Sequence, residues 1–350
     1  MNKRKVNFAL VGLSEMGMRH ALSIKNSMKM ELVAVCDKLE DRVSEAVNTL
    51  DVKTGTTDWR ELLSNDDIEA VVLCIPDQVH VEMTVAFLEA GKDVLCEKPM
   101  ALSVEECEEM RAAEKRTGKR LMIGQICRYT PSFIKTRELI EQGEIGELYY
   151  VESEYAHDYS LASEGVDRWR LDPKREPFIG GGCHAMDLLR WIAGNPYEVC
   201  AFANHKCLTD WPVNDCIISI FKFPNNVIGK VFVSIGCKRN GTMRSVFYGT
   251  KGTIICDNNS NYLSVFKEPL AGKDSIFPDK HISQTTPINL AIPINHHNTT
   301  HELESFADCI INDTPVPTTS YDGECTVVAC VAATQASKIG QTLEIAYPEE

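Results

Sequence analysis

Val6-Asn7-Phe8-Ala9-Leu10-Val11 runs straight into Gly12-Leu13-Ser14-Glu15-Met16-Gly17, and a helical pattern begins at Met18. A strand, a glycine-bounded turn and a helix in that order form the fingerprint by which a doubly wound sheet meets a dinucleotide. The first glycine makes the tight turn, the middle residue admits the pyrophosphate, and the last glycine lets helix and strand pack closely. Here Gly12 and Gly17 hold the outer places and Ser14 the middle one. Serine is small enough for that approach, and its hydroxyl can reach a phosphate oxygen. Asp37 closes the next apolar run, Leu32–Cys36, twenty residues after Gly17. A carboxylate there can hold a ribose 2′-hydroxyl and repels a 2′-phosphate. Lys38 beside it blunts that repulsion, so NAD is expected and NADP stays open; a plain strand-end cap is the competing role for Asp37.

Outward from this stretch, residues 5–124 keep alternating strand-like and helical runs. Ala70–Ile75, Val94–Cys96 and Leu121–Ile123 are continuous and apolar, as parallel strands covered on both faces are. Asp58 with Glu61, and Ser103 with Glu106, stand at capping-box spacing. The alternation predicts a doubly wound parallel α/β domain over 1–124. Residues 125–350 read differently. Leu148–Tyr155, Val199–Asn204, Ile217–Phe223, Val227–Ile235, Ser245–Gly249, Gly252–Cys256 and Leu263–Phe266 are strand candidates, joined by turn signals such as Pro224-Asn225-Asn226 and Thr250-Lys251-Gly252. They suit an antiparallel sheet with one buried face. Glu268–Ile294 reads as a surface excursion.

The whole chain has 350 residues, against roughly 150 for one domain, which fits two domains. With 44% apolar and 25% charged residues it is not a disordered chain. Its 36 basic and 50 acidic residues leave a net charge of -14, which repels phosphate polymers, so no nucleic-acid partner is expected. Apolar runs such as Ala70–Pro76 fall far short of the roughly 20 residues of a membrane helix. The basic start Met1–Lys5 reads as a strand entry and not as a signal peptide. None of the 14 cysteines stands at Cys-x-x-Cys spacing, and Cys36, Cys74, Cys96 and Cys216 sit in apolar runs. They read as small hydrophobes in a reducing cytosol. His297 and His301 are one helical turn apart, yet Thr299 and Glu302 form a capping box ahead of the apolar stripe Leu303, Phe306 and Ile310. A helix start without a metal is the expectation there.

Two segments narrow the reading. Cys74-Ile75-Pro76-Asp77 is followed by His80, and Glu97-Lys98-Pro99 by Met100-Ala101 and a capped helix. With the fingerprint, these resemble the glucose–fructose oxidoreductase/inositol dehydrogenase/rhizopine catabolism family, Gfo/Idh/MocA. The likeness continues through Arg128-Tyr129-Thr130-Pro131, Ile140-Glu141-Gln142-Gly143-Glu144-Ile145-Gly146, Gly180-Gly181-Gly182-Cys183-His184-Ala185-Met186-Asp187 with Leu188-Leu189-Arg190-Trp191, and Phe306-Ala307-Asp308-Cys309-Ile310. It implies an NAD(P)-dependent oxidoreductase acting on a ring hydroxyl of a sugar or cyclitol. It also implies a Rossmann domain followed by an α/β domain whose large open sheet joins a homodimer or homotetramer. Gly12, Ser14, Glu15, Met16, Asp37, Lys38, Ile75, Pro76, His80, Glu97 and Lys98 are then the expected cofactor contacts.

Oxidising a secondary alcohol needs a positioned nicotinamide and a group that takes the hydroxyl proton. Lys98 follows a strand at its C-terminal end, where such sheets bind ligands. His184 stands after three glycines at the start of an amphipathic helix, where the helix dipole favours neutral imidazole. Asp187 shares its face and would fix the imidazole or meet a substrate hydroxyl. The resemblance implies that Arg128 lies near the nicotinamide side of the cleft. Trp169 and Arg170, in Asp167-Arg168-Trp169-Arg170, suit a sugar's face and its hydroxyls or a carboxylate; His157 and Tyr159 are weaker candidates. Many relatives carry an acidic or amide residue four positions before the histidine, where this chain has Gly180. Proton handling then rests on Lys98 and His184, on another carboxylate such as Asp187, or is weakened. Two alternatives remain open: a glycoside-cleaving enzyme that oxidises its sugar transiently with tightly held NAD, and an NAD- or sugar-sensing regulator.

Overall fold

Continuous apolar runs pair side by side in the first sheet because both faces are covered by helices. The computed structural model describes residues 4–160, 168–267 and 286–350. Its first part runs β1 (Val6–Val11), α1 (Glu15–Asn26), β2 (Met30–Cys36), α2 (Glu40–Leu50), β3 (Thr54–Thr56), β4 (Ala70–Leu73), α3 (His80–Glu89), β5 (Asp93–Glu97), α4 (Val104–Thr117) and β6 (Leu121–Gly124). All six strands are parallel, in the order β3-β2-β1-β4-β5-β6. This is the Rossmann order, with its switch point between β1 and β4. β3 escaped the sequence reading because it is a three-residue, largely exposed edge strand with no apolar signal. The Asp58–Glu61 spacing makes only a 3₁₀ turn, Trp59–Leu62; Asp58 accepts from the Arg60 amide at 3.1 Å, and Glu61 takes the Thr56 hydroxyl at 2.7 Å instead. Ser103 does cap α4 through the Glu106 amide at 3.3 Å.

The second part runs α5 (Pro131–Glu141), β7 (Leu148–Ala156), α6 (Pro177–Gly180), α7 (Cys183–Ala193), β8 (Glu198–Asn204), β9 (Cys216–Phe223), β10 (Val227–Ser234), β11 (Ser245–Gly249), β12 (Gly252–Cys256), β13 (Tyr262–Lys267), β14 (Ile288–Ala291), α8 (Thr299–Asn312), α9 (Ser320–Ile339) and β15 (Leu343–Glu344). The nine-stranded sheet has the order β14-β13-β12-β11-β7-β10-β9-β8-β15. Only β7 and β10 pair in parallel. β9 and β10 meet at Phe223 and Val227 across a turn in which Asn225 and Asn226 take positive φ, which asparagine tolerates. β14 corrects the surface-excursion reading over Ile288–Ala291, since it extends the sheet edge beside β13; residues 268–285 lie outside the described residues. One sheet face is buried against α5, α6, α7 and α9, and alternate residues of β9 point the other way.

Two C-terminal helices tie the halves together. α8 returns to the first sheet, where Leu303, Phe306 and Ile310 join the core of Phe8 and Ile24. Its cap is Asn298, which accepts from the His301 amide at 3.3 Å, so the Thr299–Glu302 box does not form and Thr299 bonds Ser23 at 2.8 Å. α9 places Val327 in the first core and Ala329, Cys330, Ala333 and Ala336 in the second. A capping box of Thr319 and Asp322 starts it.

Candidate active site

The fingerprint loop is fixed by sterics. Gly12 has φ +94°, and a Cβ there would overlap the Cys74 carbonyl; a Cβ at Gly17 would overlap the carbonyl of Gly12. Only glycine allows β1, β4 and α1 to meet so closely. Ser14 precedes α1, and its hydroxyl makes no cap bond. Asp37 is buried and accepts from the amides of Leu13 at 2.7 Å and Leu39 at 3.0 Å, while Arg42 lies at 3.6 Å. It therefore buttresses the glycine loop from the end of β2, a role its sequence position did not reveal. Lys38, Glu15 and the half-buried Met16, Ile75 and Pro76 border the same edge. An open loop on a helix N-terminus beside a strand-end carboxylate fits the pyrophosphate and ribose of a dinucleotide.

Glu97 and His80 act one layer below. Glu97 accepts from His20 at 2.9 Å and from the Lys98 amide at 3.2 Å. Burial opposes its charge, yet His20 and Lys98 hold its carboxyl below the ordinary range. His80 is fully enclosed, with Nδ1 at 2.9 Å from the Pro99 carbonyl and Nε2 at 3.1 Å from that of Ile75. Burial works against its charge, but Cys96, Asp77 and the Ile75 carbonyl outweigh it and push the imidazole up to about 10. With both nitrogens spent on carbonyls, His80 pins the Lys98-Pro99 turn to the loop after β4. This corrects its reading as a cofactor contact.

Lys98 emerges from that turn half-buried. Its Nζ donates to the Gly180 carbonyl at 3.4 Å and has no carboxylate partner among the described residues. His184 sits in the first turn of α7, with Nδ1 at 3.6 Å from the Cys127 thiol and its ring stacked 5.8 Å from Tyr155. Burial first, then the charge of Lys98, pushes its imidazole well down. His157 stacks on the other neighbour of this row, 4.0 Å from Tyr155, and burial and Lys98 lower it to about 4. His297 also lies within reach of Lys98, and burial lowers it as well. The neutral form of His184 thus has burial as its main cause, followed by the charge of Lys98. Tyr155 was missed because no local pattern marks it, and His297 was read only as part of a helix start.

Two candidates go elsewhere. Asp187 is fully buried and grips Arg128 in a two-pronged pair at 2.9 and 2.8 Å, with Thr326 at 3.1 Å. Arg128 also reaches Asp322 at 3.0 Å. Neither touches His184 or is free for a ligand, so both are corrected from substrate contacts to a clamp between α7, α9 and the turn Ile126–Tyr129. Trp169 and Arg170 lie on a 3₁₀ turn near the cleft, with Arg170 over the indole at 4.4 Å; Asp167 lies outside the described residues. Among the described residues the histidines of the 296–301 stretch form no metal cluster. The one donor set among the described residues is His20, Cys74 and Glu97, within 4.8 Å, where burial pushes the Cys74 thiol far up and away from the thiolate a metal needs.

Residues 6–125 match the profile of the Gfo/Idh/MocA oxidoreductase family with an NAD-binding Rossmann fold, and residues 133–255 match the Gfo/Idh/MocA C-terminal domain. The chain belongs to the Gfo/Idh/MocA family. Within this family it is similar to scyllo-inositol 2-dehydrogenase (NAD(+)) of Bacillus subtilis, at 25% identity over 98% of this chain and 97% of that protein. Myo-inositol 2-dehydrogenase of Thermotoga maritima is 26% identical over 72% of this chain and 75% of that one. A solved levoglucosan dehydrogenase in complex with NADH shares the Gfo/Idh/MocA fold at a TM-score of 0.87, with 21% identity over 99% of this chain and 100% of that chain.

The two lowered imidazoles give this Gfo/Idh/MocA protein a pH signature. His157 and His184 are neutral in the fold but titrate near 6.5 when unfolded, so the unfolded chain binds more protons on acidification. Their share of stability is complete above about pH 7.5 and is lost as pH falls through about 6.5 toward 4. The melting temperature is expected to drop between about pH 7.5 and 5, and less so in a His157→Gln/His184→Gln variant. An equal drop in both proteins would contradict the assignment.

Proposed function

We propose that the protein is an NAD-dependent dehydrogenase or reductase that moves a hydride between nicotinamide and a ring carbon of a sugar, sugar derivative or cyclitol. The observation that carries this is the meeting of Lys98 and neutral His184 at the C-terminal edge of the parallel sheet that ends in the glycine loop. Bound NAD supplies the hydride acceptor. Gly12, Ser14, Asp37, Ile75 and Pro76 hold it. Lys98 Nζ hydrogen-bonds the reacting oxygen and steadies the charge that grows on it as the C–H bond breaks. His184 Nε2, which has no partner among the described residues, takes the hydroxyl proton in oxidation and returns it in reduction. Tyr155, stacked between His157 and His184, keeps the imidazoles in place.

The inositol and levoglucosan dehydrogenases among its relatives support a ring hydroxyl as the reacting group. Residues 1–124 would form the dinucleotide domain and 125–350 the substrate and assembly domain, with α8 returning to the first. Phe202, which is 74% exposed, and the exposed Ile218, Ile220 and Ile228 on the open face of the nine-stranded sheet support a homodimer or homotetramer; a monomer mass in light scattering would overturn that. All 14 cysteines are free, which fits a reducing cytoplasm and is checked by cell fractionation. The function itself is tested by the appearance of NADH absorbance when the protein meets NAD and a panel of sugars, sugar acids and inositols. Turnover of at least one ring polyol is expected; NAD binding without turnover of any would overturn the reading.

A further inference from the structure

The space that a side chain at position 180 would fill is taken by Arg175. A Cβ on Gly180 would collide with its Nη1, Cζ and Nη2. Arg175 is buried, with 3% of its surface exposed. Its Nε donates to Asp77 Oδ2 at 2.6 Å, Nη2 donates to the Gly180 carbonyl at 3.1 Å, and the indole of Trp169 lies 4.7 Å from Cζ. Nη1 has no partner among the described residues. That leaves a rigidly held guanidinium with one open prong beside the backbone of Gly180.

Lys98 donates to the same Gly180 carbonyl at 3.4 Å, so one oxygen brings two cations together at the floor of the cleft. Asp172 nearby accepts from the Gln78 side chain at 3.1 Å and the Lys174 amide at 2.9 Å, and the other carboxylates are committed to partners as well. Asp77 is bound by Arg175, Asp187 by Arg128, Glu97 by His20 and the Lys98 amide, and Glu176 by Lys338 at 2.6 Å. His157 and His184 are held neutral and add no positive charge of their own. Asp77 balances the charge of Arg175 and Glu97 lies against Lys98, so what the spot offers a ligand is the unmatched donor at Nη1. An open guanidinium prong of this kind prefers a carboxylate, and a dry setting strengthens the bond.

We propose that the substrate is a sugar acid whose carboxylate is received by Arg175 Nη1, next to the hydroxyl that Lys98 and His184 serve. Arg175 is then the specificity-determining residue, and Gly180 is the residue that makes room for it. This deepens the hydride-transfer reading and rests on it for the place of the reacting hydroxyl, but its test is one of binding. The NADH-loaded protein is titrated calorimetrically with D-glucuronate and D-galacturonate beside D-glucose and D-galactose.

The acids are expected to bind about tenfold or more tightly than the neutral sugars, with the preference shrinking as salt is raised. In Arg175→Gln the preference disappears. Because that change leaves Asp77 buried without its cation, the double variant Asp77→Asn/Arg175→Gln provides the same readout without a lone buried charge. NADH affinity kept within a few-fold reports that the variants are folded. Equal or tighter binding of the neutral sugars, no binding of either acid, or a preference that survives the double variant would overturn the proposal. An intact acid preference without any hydride transfer would instead strike at the dehydrogenase reading.

Discussion

Lys98→Ala lowers turnover by about a hundredfold to ten-thousandfold while NAD binds within a few-fold of the wild type. The size follows from the role proposed for the side chain, the cation at the reacting oxygen, since general acid–base and charge-stabilising groups are worth that much. The variant is expected to fold, because the turn is held by other atoms. The Lys98 amide bonds Glu97 at 3.2 Å, and His80 takes the Pro99 carbonyl at 2.9 Å; both bonds involve main chain that alanine retains. A rate within tenfold of wild type, or a loss of NAD affinity in place of rate, would show that Lys98 serves the cofactor and not the chemistry.

Asp187→Asn costs stability and leaves the cofactor site untouched. Arg128 is buried, and two of its nitrogens sit on Asp187 at 2.9 and 2.8 Å. Burial opposes the guanidinium, and Asp187 and Asp322 hold it charged and its pKa raised. Removing one partner of a buried pair costs about 3–5 kcal/mol when the charge is left alone; here Asp322 at 3.0 Å still compensates part of it, so a loss of about 2–4 kcal/mol is expected. Denaturant unfolding of the variant measures this directly. A loss under about 1 kcal/mol, with the rate falling instead, would return Asp187 and Arg128 to the substrate side of the cleft.

The contrast between these residues shows where sequence is informative. The glycine fingerprint is legible because part of the constraint is local: Gly17 is forced by the carbonyl of Gly12 five residues back, while Gly12 is forced by Cys74 at the end of the neighbouring strand. The parallel strands are legible because burial on both faces demands unbroken apolar runs. Asp187 was misplaced because a spacing of three tells which face of a helix a residue takes, not what packs there; its partners Arg128 and Thr326 come from far along the chain. Arg175 was invisible for the same reason. In Pro173-Lys174-Arg175-Glu176 it looks like any surface cation, and only the empty position at Gly180 and the distant Asp77 turn it into a buried one. His80 matched a motif but serves backbone carbonyls. The return of α8 to the first core also has no local signal, since Phe306 meets Phe8 across nearly the whole chain, with ring centroids 6.1 Å apart.

The most direct measurement follows the hydride itself. The protein is incubated with NAD and carbon-deuterated ring polyols, including inositols, glucose and the sugar acids, and the nicotinamide is weighed by mass spectrometry. Transfer predicts reduced cofactor carrying deuterium from one carbon of one substrate, with Lys98→Ala forming it at least about a hundredfold more slowly. Cofactor that binds but stays oxidised and unlabelled with every polyol would contradict hydride transfer at this site.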